Sequence, residues 1–291
     1  MQGFRAWIMV WACMALTMNV QAQQSKPEDQ QVLVSTHPMA LLIKSAWPQL
    51  NVETLMDANQ SPHDFALKPS HRRIIAQSDH LIWLGADFEP YLDKLVGRHS
   101  AALDLSSLFE EHHEVEHKLF EEDHSGHDHG ANDPHIWLNP NGIEAILAQV
   151  ANALSLETPN AFLDEFRQWR EQAGVQLKNS PKGFVSFHDA FHYWIEYFNL
   201  NQKAVLAVNP EQPIGTRHIV KVRELLQQGN VACLFVEPQF KASIVDKLQQ
   251  GTGVPVVRID PIGSQYNVNE GKFLDFYRYL VSQFKTCLSA K

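Results

Sequence analysis

At 291 residues, with 44% hydrophobic and 20% charged side chains, the chain is long enough to bury a sizeable core and has the composition of a soluble globular protein. Its net charge of −9 argues against nucleic acid as a partner, because a polyanion needs a basic face to bind.

The first 22 residues are of a different kind. Arg5 is the only charge before Lys26, and the apolar stretch over 6–20 ends at Val20-Gln21-Ala22, with a small residue at the expected cut. This reads as a secretory signal peptide over residues 1–22; the stretch falls short of the roughly 20 apolar residues a membrane anchor needs. Bulky Trp11, two residues before Cys13, argues against a lipoprotein site there. Losing the leader takes the net charge to −10 and leaves Cys233 and Cys287 as the cysteines. In an exported chain two cysteines pair as a rule, and a bridge across this loop would stabilise by about 4 kcal/mol; two buried free thiols are the alternative. Neither lies in a CxxC pair, which leaves redox and zinc-ribbon roles without support.

Short apolar runs then alternate with helical patterns. Residues 32–35 read as a strand, followed by a helix from Pro38 to about Trp47, and 51–56 as a second strand. A helix over 70–77, a buried strand over 80–84 ending at Gly85 and a helix over 88–95 complete the first series. This βαβ rhythm predicts a parallel sheet with helices outside. Residues 110–133 break it: six histidines (His112, His113, His117, His124, His127, His129) and nine acidic residues stand in 24 positions. Such a segment cannot bury enough surface to offset its ordering entropy, so a disordered loop is expected. After a helix over 141–154, Phe162, Phe166 and Trp169 recur at helical spacing in a polar stretch from about Pro159 to Asn179, a candidate bridge between two lobes. The alternation then restarts: strands over 183–187, 205–208, 232–236 and 254–259, with helices over 190–198, 216–227, 242–250 and 272–284. The organisation is therefore α/β in two lobes, 23–157 and 181–291, joined by a linking helix over 158–180.

Open α/β sheets bind ligands beyond the carboxyl ends of their strands. The polar residues at those ends are His37, His63 within a loop, His188, Glu237 and Asp260, with His135 just after the histidine-rich segment. A single histidine at a strand end is more often a cap or surface group. Three of them, beside a polyhistidine loop in an exported chain, favour a metal, because neutral imidazole is the commonest metal ligand. Three nitrogen donors with a fourth position for carboxylate or water suit zinc. Enzyme motifs are absent: there is no HExxH, no GxSxG and no phosphate loop, and although His188 and His192 lie at i, i+4, Asp189 stands where a metalloprotease would have Glu. A zinc hydrolase with Glu237 as its base is the rival reading from that class.

The residues resemble the metal-binding solute-binding proteins of ABC transporters, specifically the high-affinity zinc uptake branch, over Val32 to Cys287. Pro62-His63-Asp64-Phe65-Ala66-Leu67-Lys68-Pro69-Ser70 is similar to the first ligand loop of that family. Asp133-Pro134-His135-Ile136-Trp137-Leu138 and Phe187-His188-Asp189-Ala190-Phe191 are similar to the second and third. Glu237-Pro238-Gln239-Phe240 and Asp260-Pro261-Ile262-Gly263 resemble its two signatures in the second lobe. The resemblance implies two lobes joined by a long rigid helix, with Zn2+ held in the cleft by His63, His135 and His188. It implies a disulfide between Cys233 and Cys287, and the acid- and histidine-rich insert as an auxiliary metal loop. Asp260 is the candidate fourth ligand, with water as the rival, since Pro62 stands where some zinc members carry an acid. His37 matches no ligand position and is left as a nearby or capping residue. His188, where manganese relatives carry Glu, favours zinc over manganese or iron. The resemblance further implies a periplasmic, non-enzymatic monomer that delivers zinc to a membrane permease and its ATPase subunit. Because neutral imidazoles are needed, affinity should fall as pH drops through the histidine range.

Overall fold

The computed structural model describes residues 29–58, 60, 63, 65–109, 133–177, 182–207, 213–238, 240 and 242–289. The signal peptide over 1–22 and the six histidines of the insert lie outside them. Asp133, counted at the end of that insert, is inside them and buried.

In the first lobe β1 (Gln31–Val34), β2 (Asn51–Thr54), β3 (His80–Trp83) and β4 (Ala102–Asp104) form an all-parallel sheet in the order β2-β1-β3-β4. Helix α1 (His37–Ala46) follows β1 with Pro38 in its first turn, where a missing N–H costs nothing, and buries nearly its whole length. Helix α2 (Pro69–Gln77) starts on Pro69, and His71 Nδ1 accepts the N–H of Lys68 at 3.1 Å to close its first turn. Two expectations need correction here. The helix expected over 88–95 shrinks to α3 (Asp93–Val96), because Pro90 pushes Glu89 out of the helical region and lacks an N–H. Strand β4 was not expected; at three residues with half-buried side chains it carries no clear apolar signature.

A short 3-10 helix, Ile136–Leu138, and helix α4 (Ile143–Ala153) lead to α5 (Asn160–Gln176), which buries Phe162, Leu163, Phe166, Trp169 and Ala173 at helical spacing. The second sheet repeats the first in order, β6-β5-β7-β8, again all parallel. Its strands are β5 (Gly183–His188), β6 (Gln202–Ala207), β7 (Val231–Val236) and β8 (Val256–Arg258). The two central strands are buried at every position, as a sheet covered on both faces requires. His188 is therefore the last residue of β5 rather than the residue after it, and β8 is shortened by Pro255, which cannot donate to a ladder. Helices α6 (His192–Phe198), α7 (Thr216–Gln227), α8 (Ala242–Gln249) and α9 (Phe273–Leu288) cover it. Helix α9 runs four residues past the expected end, which places Cys287 on its buried face; Cys233 of β7 is bonded to it, with Cα atoms 5.3 Å apart.

One hydrophobic cluster spans both lobes, running from Val32, Ile82 and α1 through Trp137, α4 and α5 to Phe184, Trp194, Phe235 and α9. Trp169 of α5 meets Tyr277 of α9 edge-on at 4.7 Å between ring centres, and Phe166 meets the same ring at 5.8 Å. A polar tie crosses the same boundary, the Phe273 N–H donating to Ser45 Oγ at 2.9 Å, and Trp47 Nε1 donates to the Glu157 carbonyl at 2.9 Å at the end of the first lobe. The lobes thus share a core, and rotating one against the other would expose apolar area at roughly 25 cal/mol per Å².

Candidate metal centre

Each sheet reverses its strand order beside a central strand, β1 in the first lobe and β5 in the second, and the crevice beyond the carboxyl ends at such a point is where open α/β folds bind ligands. His188 ends β5, Glu237 follows β7, His63 comes from the connection after β2, and His135 stands immediately before the 3-10 turn Ile136–Leu138. Although neighbours in sequence stand 72 and 53 residues apart, the three histidines converge. Their ring centres lie 5.6 Å (His63–His135), 4.9 Å (His63–His188) and 5.1 Å (His135–His188) apart. One nitrogen from each falls within 4.8 Å of the others. Tetrahedral zinc with Zn–N bonds of about 2.0–2.1 Å needs nitrogens about 3.3 Å apart, so side-chain shifts of about 1 Å close the set.

Which nitrogen faces the cleft is fixed from behind. Asp133 Oδ1 accepts both the Nδ1–H of His135 at 2.7 Å and its backbone N–H at 2.9 Å. Glu237 Oε1 stands 3.2 Å from His188 Nδ1. A carboxylate on Nδ1 sets the tautomer, leaves Nε2 for a metal and raises its basicity. Both carboxylates are buried. Burial pushes the Glu237 carboxyl up to about 8, with nearby His135 opposing and Asp260 adding to the rise. Aromatic rings wall the cluster: Phe88 stands edge-on to His63 at 5.3 Å, Trp137 to His135 at 5.3 Å, and Phe240 to His188 at 6.2 Å. Such a shell keeps water out and strengthens charge–dipole interactions inside.

Asp260 sits elsewhere on the same edge. Its Oδ1 accepts the Ile262 N–H at 3.0 Å, and its Oδ2 accepts the Ser264 N–H at 2.7 Å and the Ser264 hydroxyl at 2.6 Å; it is not in the group whose ligand atoms lie within 4.8 Å of one another. His37 caps nothing: it is the first residue of α1, Thr36 holds the cap position, and the His37 Nε2 lies 3.0 Å from the Tyr266 carbonyl. Burial lowers its pKa, against its bonds to the backbone of Gly263 and Tyr266 and the charge of Asp260. Sequence reasoning placed Glu237 on the right edge without its partner, and passed over Asp133 and Phe88. An Asp two residues before a candidate ligand is the signal that could have found Asp133.

Two parallel α/β lobes closing on a cluster of imidazoles with buried carboxylates behind them define a solute-binding protein for a metal cation. The profile of the family described as "Zinc-uptake complex component A periplasmic" matches residues 32–287, and the chain belongs to that family, whose members bind a solute for transport and are not enzymes. It is similar to the high-affinity zinc uptake system protein ZnuA of Yersinia pestis, at 28% identity over 88% of this chain and 91% of that protein. The corresponding protein of Haemophilus influenzae is 26% identical over 89% and 93%. Among solved structures, a crystal structure of ZnuA superposes with a TM-score of 0.71 at 20% identity, covering 90% of this chain and 98% of that one. A zinc-bound variant of AdcAII from Streptococcus pneumoniae gives a TM-score of 0.71 at 22% identity over 89% and 100%. These structures share the fold.

Proposed function

We propose that this protein captures one zinc ion on the Nε2 atoms of His63, His135 and His188 and delivers it to the permease of an ABC transporter, whose ATPase subunit drives uptake. The observation that carries this reading is the convergence of three imidazoles, one nitrogen of each within 4.8 Å of the others, at the mouth of both sheets. Neutral nitrogen donors select a borderline cation over the harder ions that prefer oxygen. Asp260 or a water completes the coordination; the carboxylate has about four lone-pair directions and spends three on Ile262 and Ser264. The chain acts as a monomer in the periplasm, exported by residues 1–22. The lobe boundaries are 23–157 and 181–291 about a linking segment over 158–180. The insert histidines, His112 to His129, form a second and weaker store of the same ion.

The test is a calorimetric titration of the chelator-treated mature chain. One tight zinc per chain is expected, retained against excess manganese, and lost in the combined His63→Ala, His135→Ala, His188→Ala variant. Full retention by that variant refutes the site, and preferential manganese binding refutes the choice of cargo. Deleting 112–129 should remove only weak additional binding; unchanged total stoichiometry takes the insert out of the metal account.

A further inference from the structure

His37 is a buried imidazole that neither the metal cluster nor a helix cap employs. It begins α1, is 6% exposed, and reaches across the lobe boundary to the Tyr266 carbonyl, 229 residues further along the chain. A carbonyl can only accept, so His37 Nε2 carries the proton and donates.

Tyr266 and Gly263 lie in the turn after β8, residues 260–266, and this turn is a single braced unit. Asp260 ties its start to Ile262 and Ser264 by three hydrogen bonds. Gly263 has φ of +66°, and a Cβ there would meet the Phe276 ring at 2.9 Å, so the turn fits against α9 only with glycine. The first lobe grips it at two points. Trp137 Nε1 donates to the Pro261 carbonyl at 2.8 Å, and His37 holds the far end. Asp260 acts electrostatically on Glu237, which stands on His188 Nδ1. The turn thus follows β8, beside β7 whose end carries Glu237, on the second-lobe side of the cluster, while His63 and His135 come from the first lobe.

We propose that His37 is a positioning residue for metal retention: by holding the 260–266 turn against the first lobe it fixes the spacing across the cleft between His188 and the other two imidazoles. This rests on the metal-capture reading above. His37→Leu keeps the bulk and removes the donor; His37→Gln keeps a donor of similar reach. Ser45→Ala removes a different cross-lobe bond, from the Phe273 N–H, that does not touch the turn.

The experiment loads the full mature chain with zinc and follows its transfer to excess chelator by stopped flow, beside thermal midpoints of the metal-free variants. His37→Leu should release zinc about tenfold faster, the lower end of what outer-shell partners of metal ligands command, with His37→Gln restoring most of the parental rate. Ser45→Ala should lower the midpoint and leave release unchanged. Parental release from His37→Leu, or release from Ser45→Ala accelerated as much as from His37→Leu, overturns the role. Should His37→Leu not fold, His37→Asn, whose amide is too short to reach Tyr266, should release faster than His37→Gln, and equal rates overturn the proposal. A His63→Ala arm separates the two readings. If it holds zinc like the parent, the capture site itself is wrong; if it loses zinc while His37→Leu behaves as the parent, only the role of His37 falls.

Discussion

Asp133 shows how one carboxylate can set both the place and the tautomer of an imidazole. The same oxygen binds the ring and the backbone of His135, and the Tyr193 hydroxyl donates to the Asp133 carbonyl at 2.8 Å from the other lobe. Removing it frees the imidazole to rotate and to place either nitrogen toward the cleft. Asp133→Ala should weaken zinc binding by about 10–100-fold, and Asp133→Asn, which keeps an acceptor, by less. An unchanged dissociation constant for Asp133→Ala in a competition titration would contradict this role. At this scale the sequence exposes the candidate ligands better than their supports. His63, His135 and His188 each stand in a distinctive short motif, whereas the partnership of His188 with Glu237 joins positions 49 apart and leaves no local pattern.

The loop between β3 and α3 carries another buried carboxylate. Glu89 Oε2 accepts the Leu84 N–H at 2.6 Å, and the Tyr91 hydroxyl stands 3.4 Å from its other oxygen. Burial raises its pKa to about 7, the charge of Asp104 adds to the rise, and the polar groups of Leu84, Ser35 and Tyr91 oppose it. The unfolded chain ionises near 4.5 while the folded chain keeps the proton to about 7, so this group's contribution is complete below 4.5 and is lost as pH rises to about 7. The loss is roughly 3 kcal/mol. Glu89→Gln removes that slope, so its stability relative to the parent, from denaturant unfolding, should be greater at pH 8 than at pH 4; an equal difference at both would contradict the assignment. The neighbouring Phe88 covers His63, so this loop joins the sheet to the metal cluster. Elements of this kind were the least legible. Strong apolar runs announced β1, β3, β5 and β7, but the loop is shaped by Pro90 and by a buried carboxylate bonded to Leu84, just past β3, and to Tyr91, and a three-residue edge strand has too few positions for a period of two to show.

For the whole molecule, the two-lobe parallel architecture follows from the repeated alternation of short strands and amphipathic helices, and the structure agrees with it. What the alternation cannot reveal is how the lobes are fastened, because the ties from Trp137 to Pro261 and from His37 to Tyr266 span 124 and 229 residues. The disulfide adds to this frame by closing a loop of 54 residues between β7 and α9. Replacing Cys233 and Cys287 by Ala should cost about 4 kcal/mol in denaturant unfolding while leaving one tight zinc per chain; a loss under about 1 kcal/mol would contradict the loop-entropy account. The shared core and cross-lobe bonds oppose opening of the lobes, which accords with capture and release by side chains and loops at the cleft. The most direct test is X-ray absorption at the zinc edge on the metal-loaded chain. The account predicts three imidazole nitrogens with one oxygen, all at about 2.0–2.2 Å. A sphere containing sulfur or fewer than three imidazoles, or the same spectrum from the triple histidine variant, would contradict it.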